Sequence, residues 1–151
     1  MDRGSLASRI EHTLLDPGAT DAEVEAHCRE AVELGCLGVC VHLARLPAAR
    51  AALAGSGLLA VAVVDFPHGL GGARVKAFAC GEAAALGADE IDTVLDAGLA
   101  RAGRWSELAA ELRGAVEAAG AAAVKVILET SRLAEPEKIR ALEAAVAAGA
   151  A

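Results

Sequence analysis

The sequence predicts an α/β fold of the (β/α)8 barrel type, incomplete, with about five parallel βα units, and three observations support this. Apolar strand-like runs alternate with helical periodicity in units that begin roughly 20 to 35 residues apart, the spacing of right-handed parallel crossovers. The run Leu58 to Val64 holds no polar residue, as expected of a strand covered on both faces or ringed into a barrel. Thr13, His42, Asp65, Asp92 and Glu129 lie in or just beyond the C-terminal ends of their strands, and such a wreath is how a barrel builds an active site. Unit count alone fits a flavodoxin-like open sheet better, since it asks for no eighth strand; the polar wreath argues for the barrel.

Each element has a local reason. Leu6 to Ile10 is a helical or extended lead-in to a first strand over Glu11 to Leu15, which Pro17-Gly18 ends. Thr20 with Glu23 forms a capping-box pattern at the start of a helix whose apolar face is Val24, Cys28, Ala31, Val32 and Leu34, and Gly35 closes it. Leu37 to His42 is a buried strand. Leu46-Pro47 opens a helix to Leu53 or Ala54, and Gly55-Ser56-Gly57 stops it. After the apolar third strand, Asp65-Phe66-Pro67-His68-Gly69 leads to a helix from about Ala73 to Leu86. Gly69 to Ala73 lacks both the Walker lysine and the dinucleotide fingerprint and reads as a plain loop. Lys76, in that helix, reads as a solvated-face residue without a role. Trp105 to Ala119 is helical, with Trp105, Leu108, Leu112 and Val116 in one stripe, and Glu135-Pro136-Glu137 starts a last helix ending at Gly149.

The chain is organised around Asp89 to Asp96, a β-branched run between Gly87 and Gly98. As a strand it turns Glu90, Asp92 and Val94 one way and Ile91, Thr93 and Leu95 the other. A mid-strand carboxylate costs several kcal/mol to bury unless a cation or donors meet it. The next strand, Val124 to Thr130, supplies one, because Lys125, Ile127 and Glu129 share a face. At ~4 Å and an effective dielectric of ~20, attraction between Asp92 and Lys125 is about 4 kcal/mol before desolvation. Spacing alone serves a structural ion pair as well as an acid/base site.

Composition bounds the function. The 151 residues, 55% of them hydrophobic, read as a single domain, 1–151, with a sizeable core. A net charge of −7 without a basic run argues against nucleic acid or an anionic membrane as partner, leaving small-molecule chemistry. Cys28, Cys36, Cys40 and Cys80 show no CxxC spacing and read as reduced thiols of a cytoplasmic protein. No signal-peptide pattern or membrane-length apolar stretch occurs. His12, His27, His42 and His68 have no metal-ligand spacing, so neither a metal nor another cofactor is expected.

The runs Ile10 to Leu15, Val39-Cys40-Val41, Phe66-Pro67-His68-Gly69, Ala88 to Asp92 and Val124 to Thr130 follow one another in an order that resembles the deoxyribose-phosphate aldolases, class I aldolases on a TIM-barrel. The resemblance runs through essentially the whole chain. It implies metal-free, reversible cleavage of the phosphorylated sugar 2-deoxyribose 5-phosphate to acetaldehyde and D-glyceraldehyde 3-phosphate through a lysine Schiff base, a step of deoxyribonucleotide catabolism. By position it makes Asp92 the proton donor and acceptor, Lys125 a supporting charge, and Thr13 and Cys40 lining residues of the substrate site. Four departures accompany it. Glu11 stands where the family has aspartate, His42-Leu43 replaces asparagine-proline, and Ala79 replaces glutamate. The fourth is that the family's sixth strand with its Schiff-base lysine, a later catalytic lysine and the phosphate-binding glycine loops are missing from these 151 residues.

An opened barrel leaves strand edges and apolar surface to cover, so a homo-oligomer formed through exposed edges is expected. Three other readings compete with the aldolase one: a non-catalytic half-barrel that associates with another chain, a flavodoxin-like binding module, and a different barrel aldolase or lyase.

Overall fold

The computed structural model describes residues 3–151. A short helix α1 (Arg3–Ala7) precedes strand β1 (Glu11–Leu14), helix α2 (Asp21–Leu34) and strand β2 (Gly38–His42). A 3₁₀ turn over Leu43–Arg45 runs into α3 (Leu46–Ala52), followed by β3 (Leu59–Val64), α4 (Gly72–Ala85) and β4 (Glu90–Val94). Helices α5 (Ala97–Arg101) and α6 (Trp105–Ala119), strand β5 (Ala123–Ile127), a 3₁₀ turn over Thr130–Arg132 and α7 (Glu135–Ala147) complete the chain.

The five strands form one parallel sheet in the order β1-β2-β3-β4-β5. A flavodoxin-like sheet would run 2-1-3-4-5, so the sequential order removes that alternative. The sheet is also curved. Four inter-strand spacings of ~4.8 Å would part β1 and β5 by ~19 Å in a flat sheet, beyond the reach of two side chains, yet Lys125 of β5 touches Glu11 of β1.

The pleat sorts side chains between two environments. Val39, Val41, Ala60, Ala62, Val64 and Ile91 pack outward against helix residues including Val24, Cys28, Leu46, Cys80 and Ala115. A second cluster joins Leu95 to Leu108, Leu112, Leu133 and Ala141 beneath α5 to α7. Burial of each such leucine is worth about 1.5–3 kcal/mol. On the concave face, Cys40, Val61 and Val63 form a smaller apolar floor. At the N-terminal rim the Asp89 carboxylate accepts from the Ala60 amide at 2.8 Å and from Arg50 at 2.9 Å, tying β3 to β4.

Local signals hold where they rest on side-chain chemistry. The capping box is present, with the Thr20 amide donating to Glu23 Oε2 at 2.7 Å and the Glu23 amide to Thr20 Oγ1 at 3.3 Å. Gly35 caps α2 at φ 68°. Gly69, at φ 68°, could carry no Cβ, which would stand 2.7 Å from the Val94 carbonyl oxygen and closer still to that of Leu95.

Other expectations need correction. Val32 and Leu34 are exposed, because at 100° per residue they fall about 80° to either side of Val24, whereas Cys28 and Ala31 stay within about 40° of it. β5 ends at Ile127, and Glu129 adopts φ 51°. The fivefold unit count missed α5, which Asp96 caps by accepting from the Leu99 amide at 3.0 Å. Lys76 is fully buried, as are Cys80 and Ala83 on the same face of α4, while Val75 and Phe78 point to solvent.

Candidate active site

The concave face gathers charge. Residues of one parity on β1, β4 and β5 point into the curve, and there the Lys125 ammonium meets three carboxylates. Glu90 Oε2 and Asp92 Oδ1 each lie 3.0 Å from Nζ, and Glu11 makes a shorter contact. Asp92 and Lys125 stand opposite each other in the β4–β5 register, so the sheet itself sets the pair. Cys40 donates to Asp92 Oδ2 at 3.9 Å from the neighbouring floor. The Asp92 side chain is 16% exposed and that of Lys125 33%, leaving the cluster enclosed but reachable by solvent.

Electrostatics assign different behaviour to these groups. Burial alone would lower the Lys125 pKa, but hydrogen bonds to Glu11, Glu90 and Asp92 outweigh it and hold the amine as ammonium well above its ordinary value. Burial raises the Glu11 carboxyl, and Asp92 and Glu90 push the same way against Lys125. Glu11 therefore takes up a proton more readily than an ordinary glutamate. Burial, then the charges of Asp92 and Glu11, push the Cys40 thiol up to about 12, so it is a neutral wall and no nucleophile at neutral pH.

The expected site residues are not all joined. Asp92, Lys125 and Cys40 are in contact. Thr13 pairs in register with Cys40, but it is exposed and its hydroxyl donates back to the Glu11 carbonyl at 2.9 Å rather than toward Asp92. The Glu11 carboxylate, from β1, reaches Lys125 across the curve of the sheet. Glu90 shares Asp92's parity, which marked it as inward-facing, yet only the structure gives it a partner.

The C-terminal rim holds His42 and Ala79. The His42 ring donates to the Leu15 carbonyl at 3.2 Å. His42, Arg45, Asp65, Phe66, His68 and Ala79 help line a cavity of about 620 Å³, and Ala79 puts no carboxylate into it. Asp65, at φ 53°, accepts from the Gly71 amide at 2.9 Å. Such left-handed non-glycine residues tend to sit at functional rims.

Two clusters escaped the sequence. Lys76 Nζ donates to the Val94 carbonyl at 2.6 Å, contacts Glu111 and lies 3.4 Å from Asp65 Oδ2, behind the sheet. An available signal was the spacing of Lys76 with Cys80 and Ala83, positions i, i+4 and i+7 of one helix face. The second cluster joins two of the histidines whose sequence spacing gave no metal-ligand pattern. His12 and His27 stack with ring centroids 3.7 Å apart, and His12 Nε2 donates to Glu30 Oε2 at 3.0 Å.

Comparison with known proteins extends the picture. No family model matches the chain. It is 39% identical to the deoxyribose-phosphate aldolase of Clostridium perfringens (strain SM101) over 151 residues, which are 99% of this chain and 67% of that protein. It is 40% identical to the deoxyribose-phosphate aldolase of Streptococcus mutans over 141 residues, covering 93% and 64%. A tetrameric deoxyribose phosphate aldolase from Aeropyrum pernix superimposes with a TM-score of 0.90 at 28% identity, covering 99% of this chain and 63% of that one. An aldolase named QR15 also gives a TM-score of 0.90, at 29% identity with 95% and 64% covered. The chain thus spans about two thirds of the length of the curated relatives it matches.

Proposed function

The chain belongs to the deoxyribose-phosphate aldolase family, and on that premise we propose that it carries the acid/base half of a class I aldolase reaction, the reversible cleavage of 2-deoxyribose 5-phosphate to acetaldehyde and D-glyceraldehyde 3-phosphate through a lysine Schiff base. The observation that supports this reading is the contact of Asp92 with Lys125 and Cys40 on the concave face. Asp92 is the proton donor and acceptor, relaying protons through water to the carbinolamine and the enamine. Lys125 supplies the positive charge that faces Asp92 across the β4–β5 register. Cys40 and Thr13 line the substrate's space. The substrate is a small phosphorylated sugar, no cofactor takes part, and the protein works in the cytoplasm; no helix among the described residues is long and apolar enough to cross a membrane.

The amine that condenses with the carbonyl is not one of this chain's lysines. Lys125 is held as ammonium by Glu11, Glu90 and Asp92. Lys76 is enclosed on the helix side of the sheet, and Lys138 pairs with Glu135 on the surface. A Schiff base needs a neutral amine open to the substrate.

Two measurements test the proposal. Borohydride reduction with acetaldehyde, read by mass spectrometry, should leave Lys125 unmodified; one stoichiometric ethyl adduct on Lys125 would show that it is the nucleophile. With methylamine supplied as a surrogate amine, exchange of acetaldehyde methyl protons in heavy water, followed by NMR, should run faster with this chain than with Asp92→Asn. Equal rates would remove Asp92 from the acid/base role.

A further inference from the structure

We propose that His12, His27 and Glu30 form a binding site for a divalent transition cation of the zinc class on the helix-facing side of β1. The site is separate from the concave face. Glu11 and Thr13 of β1 have the inward parity, whereas His12 between them points outward to α2, where His27 and Glu30 are three residues apart on one helical face. A helix presenting two donors at i and i+3, with a third from an adjacent element, is a chelating arrangement.

Three observations point to a ligand there. First, one donor atom from each residue can be chosen so that all lie within 4.8 Å of one another. Tetrahedral zinc with bonds of ~2.0–2.1 Å sets its donors ~3.4 Å apart, so the most widely spaced pair closes by ~1.4 Å at most, besides any turning of the rings. Second, His27 Nε2 is buried and has no hydrogen-bond partner, an unsatisfied lone pair or N–H that coordination would satisfy. Third, access is open. The Glu30 side chain is 60% exposed, and a cavity of about 590 Å³ beside it is lined by Asp16, Glu23 and Glu33 with Arg29 as the opposing charge.

The donor set chooses the cation. Two imidazole nitrogens and one carboxylate suit zinc, cobalt or nickel and are poor for magnesium or calcium, which take oxygen ligands.

Binding must rearrange the histidine pair. The rings are nearly parallel, 7° apart, and a cation cannot lie in both ring planes while they remain stacked. One ring swings out of the stack. The His12 proton that now points to Glu30 from Nε2 moves to Nδ1 through solvent, freeing Nε2 and Oε2 together for the metal. The occupied site then ties β1, an edge strand, to α2.

The test uses the whole chain stripped with a chelator. Calorimetric titration with zinc chloride should saturate at one equivalent, magnesium chloride should give no heat, and cobalt chloride should produce visible bands without a thiolate charge-transfer band. His27→Leu and Glu30→Gln should each weaken zinc binding ~10-fold or more. Glu30 lies at the surface, so Glu30→Gln keeps the test decisive if His27→Leu folds poorly. Unsaturable heat, unchanged zinc affinity in a folded variant, or a cobalt–thiolate band, which would place the metal on a cysteine, each overturns the proposal.

Discussion

Replacing Lys76 with methionine is the sharpest test of what supports the sheet from behind. The Lys76 side chain is fully buried, the Glu111 side chain is 4% exposed, and that of Asp65 is 12% exposed. Lys76→Met keeps most of the volume and removes the charge, so the Glu111 carboxylate stays buried without its cation. Breaking a buried pair from one side costs about 3–5 kcal/mol. Asp65 suffers less, since it retains the Gly71 amide. Against a total stability of about 5–15 kcal/mol, and with a urea m-value of about 2 kcal/mol/M, the midpoint should fall by about 2 M. The double variant Lys76→Met/Glu111→Leu should regain most of that loss, because removing both charges leaves neither unpaired. Urea unfolding followed by circular dichroism measures both. A single variant within about 0.5 kcal/mol of the parent, or a double variant as weak as the single, would refute the idea that the pair's value lies in mutual neutralisation. Should the single variant not fold, recovery of folding in the double makes the same point.

Alkaline stability should depend on two thiols: burial pushes Cys40 up to about 12 and Cys80 up to about 11, against 9.0 when unfolded. A raised pKa gives stability that is present below the unfolded value and lost above it, so melting temperatures should drop from about pH 9 upward, at up to ~1.4 kcal/mol per pH unit for each thiol; Cys40→Ala should have a shallower slope, and an identical slope would count against its burial. Thr20→Ala should cost about 1 kcal/mol in chemical unfolding by removing the α2 cap, and a neutral result would mean that the box is replaced by water. Sedimentation should find oligomers, since among the described residues β1 and β5 each have one edge without a strand partner, and Leu142 and Val146 of α7 are exposed; a monomer that unfolds cooperatively would favour a self-contained sheet.

How much of this was legible in the sequence depended on the range of the interaction. The Thr20 and Glu23 box, the Gly35 cap and the start of α6 at Trp105 rest on contacts within one turn, and the residues involved are adjacent on the page. The Asp92–Lys125 pair required only strand parity and the assumption that neighbouring units pair in order, which the β4–β5 register bears out. Periodicity failed where a face is chosen by a distant partner. In α4 apolar residues fall on all sides, so hydrophobicity could not tell that Lys76 turns in and Phe78 out. Glu111, 35 residues away, decides it.

The same reasoning explains why the candidate site was half visible. Glu11 and Lys125 are 114 residues apart and sit on the two outermost strands. No local signal links them, and in a flat sheet they would not meet; the curvature of the five sequential strands brings them together. Once they meet, the chemistry of the concave face changes. A lysine paired with Asp92 alone would balance one negative charge. With Glu11 and Glu90 added, three carboxylates share one ammonium, and burial raises the Glu11 carboxyl. Lys125 is thereby held by three carboxylates, of which Asp92 is the one that also accepts from Cys40.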